Sequence, residues 1–118
     1  MRRAIELDES DSPLPSDHEL WAAHDALGIS LIMRKKYRDA VGILMKSRDL
    51  AERIGDDSLL ASAEYNLACA SSRAGKFKDA YVALKASIAL DSTNKEKAKS
   101  DSDLEKAVER QEFKELLK

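Results

Sequence analysis

Two histidines are the first side chains in this 118-residue chain that could do chemistry. His18 and His24 are six residues apart, which places them about 120° apart around a helix. No cysteine or carboxylate cluster stands near them at the spacing of metal ligands. We therefore expect His24 to pack inside a helix pair and His18 to be a solvated residue of a first helical turn, with no metal site.

The one cysteine, Cys69, would need a positioned base to act as a nucleophile, and the sequence suggests none nearby. A small, semi-buried helical residue is the expected role. Gly75-Lys76 is not part of a glycine-rich, phosphate-binding loop, because the other glycines of that motif are missing.

The paired acids fit helix capping better than acid–base catalysis; they are Asp56, Asp57, Asp101 and Asp103. Together with the histidines and the cysteine, they predict a protein that is not an enzyme and has no cofactor.

Composition and charge restrict which partners and which location we expect for this protein. The net charge of −2 argues against nucleic acid as a main partner, because phosphate binding normally needs a basic excess. A single thiol cannot form an internal disulfide, which favours a reducing compartment. The N-terminus has no apolar signal segment, and no apolar run approaches the roughly 20 residues that cross a bilayer. We expect a cytoplasmic protein without membrane insertion.

Helical periodicity recurs along the chain, and no segment alternates as a strand would. Ser16 and Glu19 form a capping-box pattern, and Gly55 and Gly75 stand where helices should end in a left-handed cap. Asp57 is expected to cap the third helix, and Ser102 with Glu105 to open the last one. The predicted helices cover about residues 17–34, 38–54, 58–74, 78–90 and 95–99, with a last stretch to 117.

An internal repeat is the strongest signal. The segment at 36–40, Lys-Tyr-Arg-Asp-Ala, matches 76–80, Lys-Phe-Lys-Asp-Ala, at an offset of 40 residues. Further pairs keep this register in both helices: Leu27 with Leu67, Gly28 with Ala68, Leu44 with Leu84, Ser47 with Ser87 and Leu50 with Leu90. The small residues would let two helices approach closely, while the tyrosine and phenylalanine fill the gap at the turn.

These residues resemble the tetratricopeptide repeat (TPR), in a long-period form of 40 residues rather than about 34. The resemblance implies an all-α, TPR-like α-solenoid of antiparallel helix hairpins. Repeat 1 would cover about residues 17–54 and repeat 2 about 57–91, within a domain of residues 16–118. Leu27 and Leu31 would belong to the core of the first hairpin.

Both ends of the chain fit this resemblance. The C-terminal part, about residues 93–118, resembles a TPR end-of-array cap, with a capping helix that would run unbroken from Asp103. Its apolar residues would cover the last exposed face: Leu104, Val108, Phe113, Leu116 and Leu117. Residues 1–15 are either a linker or a partial repeat, because residues 4–8 resemble the end of a second repeat helix at 87–91.

In stacked TPR units the first helix of each pair lines a concave groove. The resemblance places eleven residues there: Ala22, Asp25, Ile29, Ile32, Met33, Ser62, Tyr65, Asn66, Cys69, Ser72 and Arg73. Such a groove could take an amphipathic helix or an extended peptide. The expected function is a non-catalytic scaffold for protein–protein interaction. Self-association and a regulatory segment of a larger enzyme are the alternatives, since two repeats fall short of the three or so that a solenoid usually needs.

Overall fold

The computed structural model describes residues 14–118, and the interpretations of residues 1–13 lie outside that range. The described chain is all-helical, without a strand, as the sequence predicts. The α-helices are α1 (Asp17–Met33), α2 (Tyr37–Ile54), α3 (Asp57–Arg73), α4 (Phe77–Leu90), α5 (Thr93–Ser100) and α6 (Gln111–Leu116), with two 3₁₀ turns at Ser102–Leu104 and Ala107–Glu109. No helix in this part of the chain is both long and apolar enough to cross a membrane.

Local signals set the helix ends. Ser16 Oγ accepts from the N–H of Glu19 at 3.1 Å, and the Glu19 carboxylate accepts from the N–H of Ser16 at 2.8 Å, which confirms the predicted capping box. Gly55 closes α2 at φ 80°, in the left-handed region, also as predicted. The cap of α3 is one residue earlier than predicted: Asp56 accepts from the N–H of Ser58 at 2.9 Å, while Asp57 is the first helical residue.

Neighbouring helices run antiparallel, as three contacts show. Arg53 near the end of α2 pairs with Asp17 at the start of α1, at 3.0 Å. Arg73 at the end of α3 reaches Tyr37 at the start of α2, and Ser87 late in α4 bonds Ala61 early in α3. Connections of two or three residues leave room for no other arrangement.

The first helix pair recurs as the second. α3 begins at the repeat equivalent of the first residue of α1, and α4 begins at the repeat equivalent of the first residue of α2. The two turns match as well: the Lys36 N–H bonds the Leu31 carbonyl at 2.8 Å, and the Lys76 N–H bonds the Ser71 carbonyl at 2.8 Å. The period of the sequence therefore corresponds to a period in the backbone.

Close helix approach depends on the small residues. A Cβ atom added to Gly28 would lie 2.3 Å from Leu44 Cδ2, so no larger residue fits without displacing that fully buried leucine. Ala68 takes the same place in the second pair and is fully buried. Ala40 and Ala80 are also fully buried, on the facing helices.

The C-terminal tail closes one end of the helix array. Leu104, Phe113 and Leu117 are buried there, and the Phe113 ring packs edge-on against Tyr81 with centroids 5.7 Å apart. Val108 and Leu116 are partly buried against the same core. The apolar residues predicted to cover this end therefore lie in or against the core.

The tail is not the unbroken helix that the sequence suggested. Ser102 and Glu105 form no capping box; Asp101 instead accepts from the N–H of Asp103 at 2.9 Å and begins a 3₁₀ turn. Arg110 is extended, with φ −82° and ψ 145°. On one continuous helix Leu104 and Phe113 would point in opposite directions, because their separation corresponds to about two and a half turns. The break lets both side chains reach the core.

At the other end of the array, none of the residues that the structure describes packs over the first helix pair. Leu27 was expected in the hairpin core but is 45% exposed. It lies beside Arg38, Asp39, Gly42, Ile43 and Lys46 of α2, at a surface that no other described element covers. Its counterpart Leu67 is 5% exposed because α2 lies against α3 at that position.

Candidate partner-binding surface

The eleven residues predicted to line a groove do lie on α1 and α3, but they differ in exposure. Ala22, Ile29, Met33 and Arg73 are exposed, and Ile32, Ser62 and Asn66 are partly exposed. Four are buried: Asp25, Tyr65, Cys69 and Ser72. Asp25, Tyr65 and Cys69 each have a partner from a later part of the chain. Ser72 lies at the wall of a depression beside the tail.

Asp25 joins three helices. Its carboxylate accepts from Ser47 Oγ of α2 at 3.2 Å and from Asn66 Nδ2 of α3 at 3.2 Å. A buried carboxylate needs such donors, because removing it from water is costly. The Asp25 carboxylate therefore links α1 to both α2 and α3.

Tyr65 and Cys69 lie under the C-terminal tail. The Tyr65 hydroxyl donates to Asp101 Oδ2 at 2.7 Å, and the Cys69 thiol approaches the same oxygen at 3.9 Å. Lys97 Nζ stands 4.5 Å from the Tyr65 ring centroid. The sequence indicated no base near Cys69, because Asp101 is distant along the chain and only the fold brings it there.

Burial and the neighbouring carboxylates make the Cys69 thiol less reactive. Burial, with the charges of Asp101 and Asp103 beside it, raises the pKa of Cys69 well above its ordinary value. A thiol needs its anionic form to act as a nucleophile. The chemistry at this position is therefore that of an inert, packed side chain.

Cys69, Asp101 and Asp103 offer ligand atoms within 4.8 Å of one another, a cluster that the sequence did not reveal. Both carboxylates have other partners. Asp101 caps the 3₁₀ turn and accepts from Tyr65, and Asp103 Oδ1 lies 3.5 Å from Arg73 Nε. Burial and the Asp101 charge raise the pKa of Asp103. The arrangement serves to attach the tail to α3.

Arg73 lies at the exposed edge of a polar depression. It donates to the Tyr37 hydroxyl at 2.7 Å and stacks over that ring at 5.0 Å from its centroid. The depression holds about 300 Å³ between α3 and the tail and is lined by Tyr37, Ser72, Arg73, Ser102, Asp103, Glu105 and Lys106.

A second polar depression of about 200 Å³ lies at the other end of α3. Its lining includes two of the predicted groove residues that stay accessible, Ser62 and Asn66, together with Lys97 of α5. Asn94, also on its wall, is anchored by donating to Ser87 Oγ at 2.8 Å. The surface along α3 thus presents amide, hydroxyl and ammonium groups.

The α1 side of this surface is apolar. Ala22, Ala26, Ile29 and Met33 are spaced four, three and four residues apart, so they share one face of the helix. Ile29 is 40% exposed and Met33 is 78% exposed. We call this stripe of α1 and the two depressions along α3 together the groove surface; its α1 part is apolar and its α3 part is polar.

The histidines are not part of this surface. His24 Nδ1 lies 2.8 Å from the Leu20 carbonyl, one turn back in its own helix, and His18 is exposed on the first turn of α1.

No family model, no curated protein and no solved structure matches the chain.

Proposed function

We propose that this chain is a TPR-like array of helix hairpins that binds a peptide or helix of a partner protein on the groove surface, without catalysis. The support comes from the molecule itself: two helix pairs in the register of the sequence repeat, antiparallel neighbours, small residues at the helix crossings and a tail that covers one end. These are the features that the resemblance to the TPR family implies.

The observation that carries the binding proposal is the exposure of Ile29 and Met33 beside a polar strip. Soluble proteins rarely leave large apolar side chains together in water unless the patch has a use. Methionine suits such a use because its flexible thioether adapts to different partners. Asp25 and Asn66 meanwhile hold the helices beneath in one fixed arrangement.

The chemistry of the groove surface favours an amphipathic partner segment. Its apolar side chains would lie on the α1 stripe, and its polar side would face Asn66 and Lys97 across α3. Helix-in-groove recognition of this kind relies on a few apolar anchors, with the polar contacts setting orientation.

The experiment begins with a peptide selected from a random library of amphipathic helices against the wild-type chain. Its dissociation constant is then measured by fluorescence anisotropy for Ile29→Ser with Met33→Ser. We expect this double variant to weaken binding about tenfold or more, because burying each such side chain contributes roughly 1.5–3 kcal/mol.

A matched control is Met45→Ser with Val82→Ser, two other exposed apolar residues, which line a depression of about 230 Å³ between α2 and α4. The control should bind the peptide as the wild type does. If the groove variant binds normally while the control fails, the binding surface lies on α2 and α4 and the proposal is wrong.

A further inference from the structure

The open end of the array, opposite the tail, carries a second accessible surface. It is formed by Leu27 and Leu31 of α1 with Arg38, Asp39, Gly42, Ile43 and Lys46 of α2. We call it the N-terminal face. It is separate from the groove surface, so an inference about it stands apart from the proposed function.

The second helix pair shows what kind of element this surface fits. Leu67, Asp79 and Ala83 hold there the positions that Leu27, Asp39 and Ile43 hold in the first pair. Leu67 and Ala83 are buried, and they line a depression together with Val41 and Met45 of α2. Within residues 14–118, the N-terminal face is therefore the same surface without a covering helix.

The other end of the molecule restricts how a second copy could supply that helix. Phe113 and Leu117 close the far end, so head-to-tail stacking would find no equivalent surface to join. A copy that uses its own open end instead presents the same face. Such an isologous contact closes on itself as a dimer with twofold symmetry and does not polymerise.

The charges on α2 suit that symmetry. Asp39, Gly42, Ile43 and Lys46 follow one another at intervals of three, one and three residues, so they form one stripe on the helix. If two α2 helices cross antiparallel with the twofold axis between Gly42 and Ile43, Asp39 of each copy lies opposite Lys46 of the other. Within residues 14–118 neither side chain forms an ion pair of its own.

Gly42 would allow the α2 helices of two copies to approach each other closely. A Cβ atom placed there would meet nothing within 4 Å, so packing among residues 14–118 does not require glycine at this position. Glycine within a helix lowers helix stability. At the centre of a crossing between two α2 helices, it would let the backbones come near, as small residues do at other helix–helix contacts.

We propose that the N-terminal face binds a second copy of this chain, giving a dimer through α2 with reciprocal Asp39–Lys46 pairs around Gly42. The test uses full-length variants of opposite charge, Lys46→Glu and Asp39→Lys, followed by sedimentation velocity over a range of concentrations. Each variant alone places like charges opposite each other at both ends of the crossing. Each should raise the dimer dissociation constant about tenfold or more.

Mixing the two variants restores opposite charges at both contacts. The mixture should therefore form a heterodimer about as tightly as the wild type forms its homodimer. Because each variant must be folded to pair, this rescue also separates a lost interface from a lost fold. Gly42→Gln, which favours the helix but adds a side chain at the crossing, should weaken the dimer.

A matched charge control is Lys78→Glu, which alters an exposed lysine at the start of α4 and should leave the dimer unchanged. Full-length Ile5→Ser with Leu7→Ser tests residues 1–13 as the competing occupant. The proposal is overturned if the wild type stays monomeric throughout, if the charge variants associate as it does, or if their mixture shows no rescue. It is equally overturned if only the Ile5 and Leu7 variant dimerises, because the N-terminal segment would then cover this face itself.

Discussion

Tyr65, Cys69 and Asp101 show how a side chain predicted for a partner becomes part of the core. The spacing of Tyr65 and Cys69 on α3 matches that of groove residues, yet the hydroxyl and the thiol both point at one carboxylate of the tail. Asp25 behaves in the same way, with donors from α2 and α3. At the residue scale, buried polar groups on α1 and α3 hold neighbouring helices and the tail together.

The buried thiol gives a prediction about alkaline pH. Burial and the nearby carboxylates raise the pKa of Cys69 above the ordinary 9.0, so the folded chain keeps a proton that the unfolded chain loses. This stabilisation is complete below pH 9 and is lost as the pH rises above it. By pH 10 it should reduce the free energy of unfolding by about 1 kcal/mol.

Urea unfolding of the wild type and of Cys69→Ala at pH 7 and pH 10 measures this effect. The wild type should lose more stability between the two pH values than the variant does. Tyr65 contributes in the same direction in both proteins, since burial and its bond to Asp101 raise its pKa as well. Equal losses would mean that the thiol titrates normally.

At the element scale, the α1–α2 turn and the α3–α4 turn have the same backbone form but different residues at one equivalent position. Lys35 and Gly75 both take a left-handed conformation, with φ of 62° and 79°. A residue with a Cβ atom pays about 1–2 kcal/mol in that region, whereas glycine does not. The first turn is therefore strained where the second is relaxed.

Exchanging the residues should change stability in opposite directions. We expect Lys35→Gly to raise the free energy of unfolding by about 1 kcal/mol and Gly75→Lys to lower it by a similar amount. Chemical denaturation of both variants beside the wild type gives the two values. If both changes shifted stability in the same direction, the shared turn geometry would not be what sets it.

On the scale of the whole molecule, features set by neighbouring residues were easier to predict than features set by packing between distant segments. The starts and ends of α1 to α4 lie within one residue of their predicted positions, because capping groups and left-handed turns act over a few residues. The exposure of Leu27 could not be predicted from such local signals, since it depends on which element packs against α1. The broken tail likewise reflects the burial of both Leu104 and Phe113.

The same limit applies to the candidate site. The resemblance to the TPR family predicted an accessible position for Ile29 and Met33, and both residues are exposed. Coverage of Tyr65 and Cys69 by Asp101 was not predictable, because it depends on a segment that is distant along the chain. Residues at the same repeat position thus differ in accessibility according to the later elements that pack on them.

The molecule, 65 × 28 × 19 Å, has one end closed by the tail, one end that residues 14–118 leave uncovered and a groove surface between them. Binding on the groove surface is the central claim. The most direct test is a titration of the isotope-labelled chain with the selected amphipathic peptide, monitored through backbone amide shifts. We predict that the largest shifts occur at Ile29, Met33, Ser62 and Asn66. Shifts confined to Met45 and Val82, or to Leu27 and Ile43, would contradict it.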